Sequence, residues 1–272
     1  MKSFHFLSIL TIILCVFSCK PNNTTEDNEK KETIEEVSQT DTVPYELVSF
    51  TDSLSAKPGD LEAPTAYFSE TWLIPKSDNE DLNDFIATSL KDEMVFEAGA
   101  LVIEGTKDAF DENKSWFFSE FEEAYQEFNE LMGYDSESGM SVVLNDGKWL
   151  TIMISSFSYT GGSHGNYGTS YLSLDVENRK RMYLDDIFET GYETVIIPML
   201  EKKVREHFEM EPDTPLNEFL FEDKIAATEN FGLLEGGIMF DYPPYELASY
   251  AAGEIELFFT YEELADVLLI NK

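Results

Sequence analysis

The apolar positions of this chain recur in two rhythms, and the rhythm switches repeatedly along its length. From Ala66 to Ile74 the run AYFSETWLI is rich in aromatic and branched residues and reads as a strand. Ser77, with Glu80 three residues on, matches a capping box, and Leu82, Phe85, Ile86 and Leu90 then recur at helical spacing. A short strand is expected from Ala100 to Glu104. Ser119 with Glu122 offers a second cap, with Ser115 as an earlier start. Phe117, Phe121, Tyr125, Phe128 and Leu131 or Met132 form the apolar stripe of that helix, and Gly133 stands where a C-cap glycine belongs. An aromatic stripe at this spacing reads as core.

The clearest signal is a hairpin. Ser141 to Leu144 and Trp149 to Phe157 flank Asn145-Asp146-Gly147-Lys148, and Asp-Gly between alternating apolar runs demands a tight turn. A third strand, Ser170 to Val176, follows the loop from Tyr159 to Asn166. Asp185-Asp186-Ile187-Phe188 leads into a helix built on Val195, Ile196, Met199, Leu200, Val204 and Phe208, with Pro198 in its first turn, where a missing amide costs little. Gly237 to Tyr242 pairs with Glu254 to Thr260 around Pro243-Pro244-Tyr245, and a short helix covers Glu262 to Leu268. The expected fold is α+β: a mostly antiparallel sheet with helices packed on one face, in two lobes.

The first forty residues obey different rules. A basic start at Lys2 and an apolar run from Phe6 to Phe17, followed by Ser18-Cys19, are the parts of a secretory signal. That run is shorter than the roughly 20 residues a membrane-spanning helix needs. Val16-Phe17-Ser18-Cys19 resembles a lipobox, in which the cysteine thiol takes a diacylglycerol and becomes the mature N-terminus. Residues 1–18 are therefore expected to be a signal peptide and Cys19 a lipid anchor. Cys15 and Cys19 are the chain's two cysteines, so the mature protein would have no disulfide and no thiolate chemistry. Residues 19–43 are rich in Asn, Thr, Glu and Lys; such a segment buries too little to offset its ordering entropy and reads as a flexible tether. These features place the protein in the cell envelope, outside the cytoplasm and lipid-anchored.

Charge narrows the partners. The chain carries 54 acidic against 18 basic residues, a formal net charge of −36. Nucleic acid needs a basic footprint and is excluded, as is lying flat on anionic lipid. A basic protein would be attracted, chiefly through its on-rate.

Candidate chemistry is sparse. His164 follows Gly161 and Gly162 in a loop between strands, where glycines let the backbone take positive φ and turn the side chain in an unusual direction. A catalytic role would pair it with Ser163 or a carboxylate. Gly161 to Gly165 spells G-x-S-x-G but lies between two strands and is no strand-to-helix nucleophile elbow; with no H-E-x-x-H and no nearby second histidine, the loop reads as a turn before it reads as a catalyst. His207 reads as a surface group. Glu122-Glu123, Asp185-Asp186 and Glu262-Glu263 are pairs that so acidic a chain produces by chance, and Asp185-Asp186 more simply favours the positive end of the following helix. No cofactor, catalytic residue or metal site is expected.

The second half also carries a recognisable pattern: Tyr159-x-Gly161-Gly162-x-His164, then Tyr171-x-x-x-Asp175 and Tyr183-Leu184-Asp185-Asp186-Ile187-Phe188, and finally a block holding Phe240, Tyr242, Tyr245, Glu246, Ala248, Tyr250, Ala251 and Gly253. Together these resemble the RsiV-type extracytoplasmic domain. That domain is found in a lysozyme-sensing anti-sigma factor, beside the catalytic domain of PdaC-type peptidoglycan deacetylases, and in stand-alone lipoproteins. The resemblance divides the folded part into an N-terminal α+β domain, 44–145, and an RsiV-like domain, 146–272. It implies a domain that acts by binding, with lysozyme the ligand of one branch. Tyr242, Tyr245, Tyr250, Ala251 and Gly253 are then expected to define the fold; the resemblance carries over no ligand contacts, and Gly161, Gly162 and His164 stay the candidate functional loop on their position alone. The expected function is a non-catalytic envelope lipoprotein that binds a protein or glycan, lysozyme among them. The alternative is a polysaccharide hydrolase or deacetylase-like enzyme using His164.

Overall fold

A computed structural model describes residues 32–34, 42–98, 105–128 and 132–270. The signal, Cys19 and the strand expected at 100–104 lie outside the described residues. Strands β1 (Glu32–Ile34), β2 (Tyr45–Ser55) and β3 (Thr65–Pro75) open the chain; helices α1 (Glu80–Ala98) and α2 (Lys107–Phe128) follow; then come β4 (Asp135–Asn145), β5 (Trp149–Tyr159), β6 (Asn166–Asp175) and β7 (Lys180–Arg181). The remainder is α3 (Leu184–Ile187), α4 (Glu193–His207), β8 (Phe231–Leu233), β9 (Gly237–Tyr242) and β10 (Ile255–Thr260). The fold is α+β. β1 to β7 form one sheet in sequence order and β10-β9-β8 a second; all neighbours are antiparallel except β3 and β4. The larger sheet runs unbroken through the β4–β5 turn at 145–149.

Alternation along the central strands assigns the two faces. Leu150, Ile152 and Ile154 of β5 and Leu172 and Leu174 of β6 pack with Ile86 and Leu90 of α1. Removing such side chains from water contributes roughly 1.5–3 kcal/mol each. Ala66 and Phe68 of β3 meet Phe110, Phe117 and Phe121 of α2 on the same side. The opposite face of β5 and β6 carries the small sheet: Tyr171 lies against Gly232, and Ser173 Oγ accepts the Leu233 amide at 3.2 Å. Behind β8–β10, Ile196, Leu200 and Val204 of α4 join Phe231, Phe240 and Phe259 in the third core.

Several local expectations are corrected. α1 is capped by Asn79, whose Oδ1 accepts the Leu82 amide at 3.1 Å, while Ser77 Oγ holds the Asn79 amide. α2 begins more than a turn before Ser115: Thr106 Oγ1 accepts the Ala109 amide. Ser115 and Ser119 instead bond back to the carbonyls of Asp111 and Trp116, as mid-helix serines do. Phe117 and Phe121 are core, but Phe128 and Met132 are exposed. Gly133 is not a left-handed cap; a Cβ there would stand 2.3 Å from the Thr65 carbonyl oxygen, so close backbone approach requires the glycine. Asp185 and Asp186 occupy the separate helix α3, and Pro198 sits inside α4 beyond its first turn. Tyr261 to Val267 forms turns where a terminal helix was expected, because Thr260 and Glu263 bond each other locally. β8 was not foreseen.

A serine-floored cleft and its aromatic rim

Among the described residues, the face of the large sheet that carries the helices is covered in two places and open between them. Register places Ser138 opposite Ser156, which faces Gly168, and Ser136 opposite Ser158, which faces Asn166. These are the continuations of the rows that end in Ile154 and Leu172, past the reach of α1. With small side chains here and a helix to one side, the surface opens into a cleft of about 920 Å³. One wall is α2, presenting Asn113, Trp116 and Glu120 on one helical face. Phe157, Tyr167, Pro243 and Pro244 bound the far end.

Glu70 lies at the cleft's inner edge, almost wholly buried. Its carboxylate accepts Trp72 Nε1 at 3.2 Å and Asn113 Nδ2 at 3.0 Å. Burial raises its pKa, and those two hydrogen bonds only partly offset the effect. Glu93 and Arg181, both lining the cleft, form an ion pair. Neither Glu70, Asn113 and Trp116 nor the serine rows stand out in the sequence.

At the cleft's outer end the β5–β6 loop meets the β9–β10 loop. Gly161 and Gly162 have φ of 93° and 95°, and a Cβ on either would meet nothing within 4 Å; their requirement is conformational, not steric. His164 is exposed. Its ring stacks on Tyr250 at 3.8 Å, and its Nδ1 lies 2.9 Å from the Gly165 carbonyl oxygen. Among the described residues no carboxylate pairs with it. Tyr167 meets Tyr250 edge-on at 5.5 Å, and Tyr245 lies 6.0 Å from Tyr250. Tyr245 is 55% exposed and held at φ 74°, a conformation an L side chain rarely adopts, with its amide donating to the Ala248 carbonyl. Gly253, at φ 77°, ends the 3-10 turn of residues 250–252, on which Ala251 is exposed. The structure thus gathers Gly161, Gly162 and His164 with Tyr245, Tyr250 and Gly253. Tyr242 is apart from them, buried, its hydroxyl donating to the Ala226 carbonyl at 2.7 Å. His207 is exposed against Phe208.

Behind the rim sits a strained carboxyl. Asp241 is fully buried and neither of its side-chain oxygens receives a hydrogen bond from a described N–H or O–H group. Burial first, then the charges of Glu254 and Glu256, push its pKa up to about 8. Once protonated, Asp241 can itself donate to Glu254, whose Oε1 accepts the Thr169 amide at 2.6 Å. Asn230 ties the same region together: its side chain accepts the Tyr171 amide and donates to the carbonyls of Thr169 and Asp241.

Among the described residues no cluster of three or more His, Cys, Asp or Glu side chains is arranged to hold a metal ion. Nor is any described helix long and apolar enough to cross a membrane.

Residues 185–262, which carry α4, the small sheet and the Tyr245 and Tyr250 side of the rim, match a family model. It is described as a protein of unknown function, DUF3298. A DUF3298 family member from Bacteroides fragilis NCTC 9343 superposes with a TM-score of 0.66 at 26% identity, covering 85% of this chain and 96% of its own. A DUF3298 family protein from Pseudomonas aeruginosa PAO1 shares the fold, with a TM-score of 0.55 at 18% identity over 83% of this chain and 94% of its own. No curated protein matches the chain.

Proposed function

We propose that this chain is a non-catalytic binding module of the bacterial envelope, carried by lipid on Cys19, that takes a basic protein ligand on its aromatic rim. The observation that carries the reading is the cluster of exposed His164, Tyr167 and Tyr245 around half-buried Tyr250, presented at the meeting of two loops. Tyrosines supply large contact area at low entropic cost and are enriched among the residues that dominate binding energy. A net charge of −36 speeds encounter with a cationic partner. Lysozyme is the partner to test first, because it is basic and because the tyrosine and glycine pattern resembles that of the RsiV-type domain. The hydrolase reading through His164 has less support, since that ring is engaged by a backbone carbonyl and a phenol and not by a carboxylate.

The test is binding of the purified chain to lysozyme at low and at high salt, with Tyr245→Ala alongside. Binding that weakens with salt and with the substitution supports the proposal; no binding at low salt removes lysozyme as the ligand. Cys19→Ala in cells tests the anchor: the protein should move from the membrane to the soluble fraction.

A further inference from the structure

The rim does not account for the cleft behind it. Several strand positions there are spent on residues that weaken strands. Serine and glycine offer little side chain to pack on a pleated surface, where Thr and other β-branched or aromatic residues are favoured. Here Ser136, Ser138, Ser156, Ser158 and Ser170, with Gly168, stand side by side on three neighbouring strands, with about 4.8 Å between strands. Their shortness creates the cleft of about 920 Å³, and their hydroxyls pave its floor with groups that both donate and accept.

Above that floor stands the exposed aromatic face of Trp116. Trp116 is 51% exposed on α2, although the neighbouring Phe117 is buried, so the helix turns its indole to the cleft while satisfying its core with phenylalanine. Phe157 and Tyr167 alternate with the serines, belong to the sheet's other face and border the cleft only at its far end. Glu70 places a buried carboxylate at the inner edge, steadied by Trp72 and Asn113. The charged lining consists of Glu70, Glu93, Glu120 and Glu137 against Arg181, and Arg181 is already paired with Glu93. An anionic ligand would meet net repulsion. A ligand with many hydroxyls and apolar ring faces, uncharged or bearing amines, would find a partner for each of its parts. A cationic peptide would use the carboxylates but leave the serine hydroxyls without a purpose.

We propose that this cleft is a binding site for an unbranched oligosaccharide of neutral or amino sugars, its rings stacked on Trp116 and its hydroxyls bonded to the serine floor. The site is separate from the protein-binding rim, although Tyr167 borders both, and it stands whether or not the rim binds lysozyme.

Titration of the full chain by indole fluorescence and calorimetry tests this. The probes are a tetramer of N-acetylglucosamine, its de-N-acetylated form, a tetramer of galacturonic acid and a hexalysine peptide. Saturable binding of at least one of the first two, without the uronate, is expected. Trp116→Ala should weaken it at least tenfold, and Ser156→Phe, which fills the floor, should abolish it. Trp116 is half exposed, so its variant should melt as the parent does. Lysozyme binding should be unchanged in Trp116→Ala and lost in Tyr245→Ala, which keeps the two sites distinguishable. Binding of neither amino-sugar tetramer, binding that survives both substitutions, equal binding of the uronate, or capture of hexalysine alone would each overturn the proposal.

Discussion

The imidazole of His164 lies face to face with the ring of Tyr250, centroids 3.8 Å apart and planes within 19°. The pair is a surface element, since His164 is exposed and its polar contact is with its own neighbour's carbonyl. His164→Ala should therefore shift the melting temperature little, within the roughly 0.5 kcal/mol typical of surface changes. Affinity for the rim's ligand should fall. A melt that collapses on this single change would instead make the loop a structural pillar.

Asp241 sets a pH dependence of stability. Its pKa is raised to about 8 in the folded chain, against an ordinary carboxyl value of about 4 when unfolded. Between those values the unfolded chain binds fewer protons than the folded one, so stability present at low pH is lost as pH climbs toward 8. The groups that face it, Glu254, Glu256 and Glu246, push in the same direction. Asp241→Asn should flatten this window and raise the melting temperature most on the alkaline side of it. Equal melting of parent and variant in alkaline buffer would remove Asp241 as the cause.

Asn230 bridges β6 to β9 through three backbone groups. Asn230→Ala leaves the Tyr171 amide and two carbonyls to find water at a half-closed edge, and each unmade bond costs about 1 kcal/mol or more. A loss of about 2–3 kcal/mol in denaturant unfolding is expected, with faster hydrogen exchange at the Tyr171 amide.

Gly237 is required by contact and not by φ. A Cβ there would stand 2.0 Å from the Phe259 carbonyl oxygen in the paired strand. Gly237→Ala should cost at least the roughly 1–3 kcal/mol of overpacking. By contrast, Gly236→Ala, whose Cβ would meet nothing nearer than 3.8 Å, should be tolerated. Thermal melts of the two neighbours side by side make the comparison.

What the sequence revealed was whatever repeats locally. The Asp146-Gly147 turn is legible because Asp146 Oδ1 caps the Lys148 and Trp149 amides within three residues. Helix starts were misplaced where several serines offered themselves as caps and Thr106 and Asn79 won. β8 is only three residues long and exists because it pairs with β9, the preceding Asn230 extending that pairing by accepting the Asp241 amide, information no local window holds. The rim was half legible: glycines marked the β5–β6 loop, but its stacking partner Tyr250 lies far along the chain and had read as part of the fold. The cleft leaves no mark in the apolar pattern. Its signal is a period-two run of serines, Ser136-x-Ser138 and Ser156-x-Ser158, and a search for apolar periodicity passes over small polar residues.

The lone parallel contact, five residue pairs between β3 and β4, has a consequence for how the molecule assembles and comes apart. The pairs β2–β3 and β4–β5–β6 are hairpins that close over short loops, whereas β3 reaches β4 only after the whole α1–α2 crossover has been traversed. Chain-closure entropy makes that seam the slowest to form, and its five pairs are fewer than those joining β2–β3, β4–β5 or β5–β6, so among the long strands it is the line along which the sheet would part. Glu70 opposite Ser138, and Phe68 opposite Ser136, sit on that line. An occupant of the cleft would span that line and act as a clamp across it, so its presence should be felt as added resistance to the parting of β3 from β4.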